Sequence, residues 1–398
     1  MTDSNHWPRV AVMGGSLGGL TAGLLLRDLG CDVDVYERST SELESRGAGI
    51  VVHPMTLRYF SQRGGPDIER LSTYAGLRRY LDANGAVVHE YPRDYRFTAY
   101  NTLYRALLDR FGHQRYHLGR AIGQIDARSD GVSFTFADSD QGWFDLLVCA
   151  DGISSAARSQ LVPDSQPRYA GYVAWRGMVP EAELSGPAYS RLHDALTYVL
   201  LGSSHILIYP IPSLAGAVAS GQRLMNFVWY RNVDNQQLEA LLTDTAGVRR
   251  ALSMPPGSIA QRFVEELRVA AERELPAAVA EVVLRTEQPF VQVVVDVDVP
   301  RMVVGRACLT GDAAFTVRPH TAAATAKAAA DAWKLAECLT DAKADIDVAL
   351  VIWEQEQLDL GRQLLSRART IGERSQSSGN GWDPRDPAME FGLYGPGW

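Results

Sequence analysis

Three short clusters in this chain combine glycine with an acid. The first is Gly14-Gly15-Ser16-Leu17-Gly18-Gly19, with Glu37 placed 18 residues after Gly19; the others are Asp151-Gly152 and Gly311-Asp312. Glycine allows a tight turn at Gly14 and close helix–strand packing at Gly19, so that the first N–H groups of a helix can point at a pyrophosphate. An acid about 20 residues further on is placed to accept hydrogen bonds from a ribose hydroxyl. The chemistry implied is the holding of a dinucleotide. Ser16 stands where the middle glycine of such a turn is expected. It adds a Cβ at the closest approach of backbone and phosphate, and a hydroxyl able to donate to a phosphate oxygen.

The flanking patterns supply the elements these residues need. Arg9–Met13 is a β-branched, apolar run that leads through the glycine turn into Leu20, Leu24, Leu25 and Leu26, near a helical period, before Gly30; Val33–Tyr36 is a second strand ending on Glu37. Strands over Trp143–Cys149 and Ala307–Thr310 run into the other two clusters. Each cluster therefore sits at the carboxyl end of a strand, the edge of an open α/β sheet where ligands bind. One long cofactor touched at three places accounts for all of them. Helix N-capping is the plain alternative for the two aspartates, and Asp151 in DGISSAAR is well suited to it.

Elsewhere, Met55–Gln62 and Leu103–Phe111 read as helices, and Leu77–Tyr91 as two strands about a turn at residues 82–85 that join a second sheet. Gly47-Ala48-Gly49, followed by a short β run to His53-Pro54, suggests backbone passing close to something flat. From about Gln166 to Thr286 the chain is strand-rich and aromatic, with a helix over Val264–Val283. Helices over Ala322–Leu339 and Ile346–Ile371 follow, and the Ser-, Gly-, Asp- and Pro-rich end is expected to lie over the surface. There is no internal repeat.

At 398 residues the chain exceeds the size of a usual single core, so two closely packed domains are expected. A net charge of −8 argues for neither a nucleic-acid nor a membrane partner. The four cysteines, Cys31, Cys149, Cys308 and Cys338, are widely spaced in apolar surroundings, which suits reduced core residues rather than disulfides or metal ligands. With no apolar leader and no membrane-length apolar run, a cytoplasmic protein is expected.

The glycine turn ending on Glu37, the segment Asp151–Arg158 matching DGxxSxxR, and Gly311-Asp312-Ala313-Ala314 followed by Pro319 together resemble the signatures of the single-component FAD-dependent aromatic hydroxylases, relatives of para-hydroxybenzoate hydroxylase. The order and spacing fit along essentially the whole chain. GAGIVVHP, YAGYVAWRG, YPIP, NFVWY and GDAAFTVRPHTAAA resemble the dihydroxypyridine-hydroxylase branch. The resemblance implies an α/β fold: a Rossmann-like FAD-binding domain with an inserted β-sheet-rich substrate domain and C-terminal helices. The FAD-binding parts would be residues 1–75, 97–165 and 287–372, with a hairpin at 76–96 joining the substrate domain of 166–286, and a tail at 373–398. It also implies that NAD(P)H reduces the flavin, that O2 gives a flavin C4a-hydroperoxide, and that this hydroxylates an electron-rich ring, here a (di)hydroxypyridine. The same chemistry on a salicylate, hydroxynicotinate or quinolone stays open, as does a non-catalytic dinucleotide-binding module. Relatives are commonly homodimers.

Carried over residue by residue, the resemblance implies FAD contacts from Gly14, Ser16, Leu17, Gly19, Glu37, Arg38, Gly311 and Asp312, with Ala48, Gly49, Pro319, Ala322, Ala323 and Ala324 along the isoalloxazine. Asp151 and Arg158 would serve both FAD and the pyridine nucleotide. Tyr100 stands where many relatives have an arginine for the pyrophosphate, and Ala322 and Ala324 stand where many have glycines, so the turn opening that helix is expected to be tighter or more helical. For the substrate, Tyr209, His205 and His320 are candidates because tyrosine and histidine can donate to or accept from a ring oxygen or nitrogen. Trp229 and Phe227 are candidate aromatic walls. Tyr209, His320 and His53 are the candidate acid–base groups.

Overall fold

The computed structural model describes residues 7–43, 48–136, 141–377, 379 and 381–397. The β-branched run Arg9–Met13 forms the middle of a six-stranded sheet, with Val10, Ala11 and Val12 wholly buried. The strand order is Val303–Val304, Ala307–Leu309, Leu146–Cys149, Arg9–Met13, Asp32–Tyr36 and Tyr116–His117, parallel except for the first pair. Between its first two strands the chain crosses over through the helix Leu17–Asp28, and the third neighbour, Leu146–Cys149, lies on the other side of Arg9–Met13. Strand order thus switches direction at Arg9–Met13, which opens a crevice at the carboxyl edge.

A second sheet has nine strands, in the order Ser253–Met254, Phe290–Asp296, Arg168–Pro180, Leu224–Asn232, Ser204–Ile211, Ala195–Leu201, Thr73–Leu81, Val87–Ala99 and Gly49–Val51. Side chains alternate between its faces. Ile206, Ile208, Phe227 and Trp229 pack with the helices Gln261–Glu274 and Ala277–Arg285. The opposite face carries Tyr80, Tyr172, Tyr198, Leu207, Tyr209 and Tyr230, and meets Ile371 of the long helix Ile346–Gln376. A third sheet, Ile122–Ala127, Val132–Phe136 and Gln141–Phe144, stands apart.

Several expectations are corrected here. The run Trp143–Cys149 is divided between two sheets, and the helix expected over Val264–Val283 is two helices parted at Pro276, whose ring cannot continue the first. Gly49–Val51 and Phe290–Asp296 belong to the nine-stranded sheet, through pairing with Phe97–Ala99 and with Arg168–Arg176, and not to the first sheet with their sequence neighbours.

The C-terminal segment is not a surface tail. Trp382, Met389, Phe391 and Leu393 are buried, and Arg367 donates to the carbonyls of Gly392, Gly395 and Glu390. Glu390 forms an ion pair with the buried Arg78 at 3.2 Å and accepts from the Tyr91 hydroxyl at 2.6 Å. An extended strap buries isolated side chains in niches made by other elements, so no period marks it in the sequence.

Candidate active site

Register brings the three clusters to one edge. Met13 lies opposite both Tyr36 and Cys149, and Cys149 opposite Leu309, so the chain leaves all four strands at the same level. The exits are stitched together by Gly14 N–H to Tyr36 O (2.8 Å), Ala150 N–H to Met13 O (2.7 Å) and Thr310 N–H to Cys149 O (2.9 Å). Gly14 has φ +102°, and a Cβ there would run into the Ala150 carbonyl, so glycine is required. A Cβ at Gly18 or at Gly311 would stand 3.1 Å from the Ala328 methyl, which places the helix Ala324–Asp341 against both turns. Leu17 and Gly19 open the first helix; Ser16 precedes it without capping it through its side chain, and its Oγ lies 2.7 Å from the Tyr100 hydroxyl.

Glu37 is buried and accepts from Gly15 N–H and Ser39 N–H, each at 2.9 Å. It thus ties the glycine turn to the end of the second strand, with further lone pairs left for a ligand. Arg38 beside it is exposed. Asp312 is the group left uncommitted: its carboxylate makes no hydrogen bond among those of the described residues, and burial pushes it up to about 6 against the pull of Lys327 and Arg158.

The two other charged candidates serve the backbone. Asp151 accepts from Ser155 Oγ (2.6 Å), Ala156 N–H (2.7 Å) and Ala157 N–H (3.2 Å), so it caps the helix Ala156–Leu161 and is not placed as a dual nucleotide ligand. Arg158 is corrected in the same way. Its buried guanidinium donates to the carbonyls of Ile153 (2.7 Å), Ser165 (3.1 Å), Ala313 (3.1 Å) and Asp312 (3.4 Å). It is a strut that joins the second cluster to the third.

Ala48 and Gly49 lie where the short strand begins; Gly47 lies outside the described residues. Gly49 is gripped on both sides. Its N–H donates to Asn226 Oδ1 (3.1 Å), and its carbonyl accepts from the Tyr209 hydroxyl and from Arg176, each at 3.0 Å. A Cβ on Gly49 would come within 2.5 Å of the Tyr209 ring. Tyr209 is therefore a clamp on Gly49, stacked on Phe97, with its hydroxyl proton spent on the Gly49 carbonyl. His53 is corrected likewise: its Nδ1 accepts from Met55 N–H (3.0 Å) and caps the helix Pro54–Arg63, and burial holds it down at about 4.

Pro319–Thr321 is a single 3-10 turn. Ala322 then takes the left-handed conformation, φ +52°, and the helix starts only at Ala324. Alanine has not made the turn more helical; it adopts the conformation glycine would, at a cost of about 1 kcal/mol. Ala323 is buried, while Pro319 is exposed and Ala324 partly so.

His320 projects from this turn into a buried group of rings. His205 lies 5.3 Å away between ring centres, Tyr230 4.6 Å and Tyr172 5.7 Å, with Trp382 of the strap 5.0 Å beyond His205. His320 Nε2 is 2.7 Å from the Tyr172 hydroxyl, and its Nδ1 has no partner among the described residues. Burial holds His205 down at about 3, with Gln376 Nε2 3.4 Å from its Nδ1. Both rings are neutral. Trp229 and Phe227 are not part of this ring cluster: pairing with Ile206 and Ile208 sets them on the helix-covered face, where the Trp229 indole N–H donates to Ser204 Oγ. Tyr230 and Asn226, their neighbours in the same strand, face the opposite side. Tyr172 and the strap's Trp382 carried no signal beyond their aromatic character.

Comparison with known proteins gives the class. A family model described as FAD binding domain-like matches residues 169–296. The chain is 30% identical to a 3-amino-4-hydroxybenzoate 2-monooxygenase of Streptomyces platensis, over 93% of this chain and 89% of that one. It belongs to the FAD-dependent aromatic monooxygenases, the flavin aromatic hydroxylase family. The particular relative that matches from end to end is 2,6-dihydroxypyridine 3-monooxygenase of Paenarthrobacter nicotinovorans, at 38% identity over 97% of this chain and 96% of the relative. The solved structure of 2,6-dihydroxypyridine-3-hydroxylase from Arthrobacter nicotinovorans superposes with a TM-score of 0.93, covering 99% and 98% of the two chains.

The residues present fit FAD. A helix start without a side-chain cap offers N–H groups to a pyrophosphate, and the uncommitted Asp312 carboxylate suits the hydroxyls of a ribityl chain. Among the described residues no helix is long and apolar enough to cross a membrane.

Proposed function

We propose that this enzyme hydroxylates a dihydroxypyridine or a closely similar hydroxylated heteroaromatic ring, with NAD(P)H as reductant and O2 as the oxygen source. The observation that carries the reading is the buried, neutral His320 with Nδ1 unpartnered, set beside His205 and Tyr230 and three residues ahead of Ala323, where the backbone turns toward the FAD-side helix. A small ring with oxygen or nitrogen on its edge answers such a group; a substrate without polar atoms does not. The name of the end-to-end relative supports the same class of substrate.

FAD, when bound, supplies acceptance of reducing equivalents from NAD(P)H and transfer of one oxygen atom from O2. The protein's own tasks follow from its residues. Gly14, Ser16, Leu17, Gly19, Glu37, Gly311 and Asp312 hold the cofactor, with Arg38 at the rim and Arg158 as the strut behind Asp312. Asp151 fixes the helix that carries Arg158. Ala48, Gly49, Pro319 and Ala322–Ala324 form the two backbone segments beside the flavin, and Tyr209, Arg176 and Asn226 keep the first of them in place. His320 and His205 orient the substrate ring. The buried tyrosines and Trp382 exclude water, which protects the oxygen-transfer step from wasteful loss. The FAD-binding unit consists of the six-stranded sheet with its helices, and the substrate unit of the nine-stranded sheet, assembled as a homodimer.

Incubation of the purified protein with FAD, NADH, O2 and 2,6-dihydroxypyridine tests the reading. Ring-stimulated NADH oxidation and a trihydroxylated product are expected. Stimulation by a salicylate or a quinolone with none by any dihydroxypyridine would overturn the substrate choice.

A further inference from the structure

His320 Nε2 and the Tyr172 hydroxyl are 2.7 Å apart and both side chains are buried. A single proton lies between them, and by distance alone either atom could carry it. The surroundings decide. Burial, His205 and the Arg318 guanidinium all hold His320 far below the usual histidine range, so the ring is neutral and has one N–H. Arg318 lies beside Tyr172, with its guanidinium carbon 5.9 Å from the ring centre, and its positive charge pulls on the phenol oxygen. Gly372 makes room for both: a Cβ there would stand 2.6 Å from Tyr172 Oη and 3.1 Å from Arg318 Nη1. Asp296 fixes the arginine, accepting from its Nε at 3.0 Å and its Nη2 at 2.9 Å. A guanidinium can only donate. The Tyr172 oxygen therefore faces the cation with its lone pairs, and its proton has His320 Nε2 as acceptor.

We propose that Tyr172 is a positioning residue that fixes His320 as the Nδ1–H tautomer, so that this ring presents a hydrogen-bond donor to a ring oxygen of the substrate. The nitrogen that receives a hydrogen bond is the one without the proton, which leaves the proton on Nδ1. Nδ1 has no acceptor among the described residues, and His205, its nearest imidazole, is engaged with Gln376. A buried donor without an acceptor favours a ligand that brings one. A ring oxygen in its oxo or deprotonated form does so; a ring N–H does not. The opposite tautomer would offer an acceptor and select the protonated hydroxyl. The ligand half of the inference rests on the substrate reading above, whereas the tautomer half depends only on the protein.

Nitrogen-15 spectroscopy of the holoenzyme with labelled histidine, without substrate, tests the tautomer. Of the eight histidines in the chain, His320 is identified by the resonances lost in His320→Asn. The expected pattern is a protonated-type Nδ1 and an acceptor-type Nε2; the reverse pattern in the wild type overturns the proposal. Tyr172→Phe should mix or reverse the two, and if that variant fails to fold the wild-type spectrum alone still decides. Titration of oxidised holoenzyme with 2,6-dihydroxypyridine in the absence of NAD(P)H tests the ligand half. Tyr172→Phe is expected to raise Kd about tenfold and to flatten its dependence on the ionisation of the ring. An unchanged Kd and pH dependence removes the ligand half and leaves the tautomer. Absence of binding to the wild type defeats the substrate reading, while the spectrum still judges the tautomer.

Discussion

Replacing Glu390 by glutamine should release the C-terminal strap while leaving its hydrogen-bond acceptor in place. Arg78, only 1% exposed, has its Nη1 3.2 Å from the Glu390 carboxylate, and Arg93 lies 3.6 Å from the same group. Unit charges at that separation attract by about 5 kcal/mol at an effective dielectric near 20. Glutamine still accepts from the Tyr91 hydroxyl, so the change removes charge and little else. Stranding a buried cation typically costs about 3 kcal/mol or more. A chain of this size does not unfold in one step, so the loss should appear as local opening of the strap. Gly392 N–H, which donates to Thr321 O at 3.0 Å, reports that opening. Its exchange with solvent deuterium should accelerate about 100-fold, since each 1.4 kcal/mol is a factor of about ten. In Arg78→Met/Glu390→Gln the stranded charge is gone, and methionine suits the nest of Tyr80, Tyr198 and Phe391. Exchange there should be slower than in the single variant. An acceleration below about threefold, or a double variant that opens faster than Glu390→Gln alone, would refute the ion-pair account.

Asp312→Asn should weaken FAD binding, read by the recovery of free-flavin fluorescence. Because burial raises the Asp312 carboxyl from its ordinary 3.8 to about 6, its stabilising contribution is present below the lower value and lost as pH rises through the higher. The Asp312→Asn apoprotein should therefore be the more heat-stable at pH 7.5, with the difference closing toward pH 4, and wild-type FAD affinity should fall as pH drops through about 6. Tyr209→Phe, which loses the donation to Gly49 O, should weaken cofactor or substrate binding by up to about tenfold without moving the inflections of the turnover–pH profile; a displaced inflection would restore it as an acid–base group. Ala322→Gly should be neutral or stabilising by about 0.5 kcal/mol, since relief of a left-handed alanine slightly exceeds the entropy glycine adds to the unfolded chain. A drop of several degrees in thermal midpoint would show that the Ala322 methyl makes contacts that outweigh its strain.

The parts of the molecule legible in the sequence are those where local pattern and tertiary role coincide. Val10–Val12 must be buried on both faces, and a glycine turn has few other uses between a strand and a helix, so the dinucleotide edge could be read directly. Gly14, Ser16, Glu37 and Asp312 all lie at that edge. Arg158, Asp151 and His53 were legible as polar groups near the site, but not as polar groups already spent on backbone. Their partners are Asp312 and Ala313 carbonyls 154 and 155 residues away in one case, and neighbouring N–H groups in the others. Trp229 and Phe227 failed for another reason. A strand buried on both faces has no polar side to mark which one meets the helices and which the rings around His320, and here the register against Ile206 and Ile208 sets it.

The residues that depart from the expected glycine and arginine pattern turn out to be one structural solution. Ser16 and Tyr100 lie 84 positions apart and meet at 2.7 Å. The Tyr100 ring stacks on Tyr104 at 5.9 Å, the Tyr104 and Tyr116 hydroxyls are 3.0 Å apart, and Tyr116 donates to Gly15 O at 2.9 Å. A Cβ on Gly15 would collide with that same hydroxyl, so the glycine and the tyrosine require each other. Three tyrosines thus clamp the turn, and the first of them, Tyr100, orients the one hydroxyl that serine adds. An arginine reaching the same place would contribute charge from a long, mobile side chain. Here orientation comes from fixed rings, and the charge of a bound pyrophosphate is left to the backbone amides of the helix start. Ala322 fits the same logic in the turn before the helix Ala324–Asp341, where the strap's Gly392 N–H holds the Thr321 carbonyl and the surroundings impose a conformation that alanine alone would not choose.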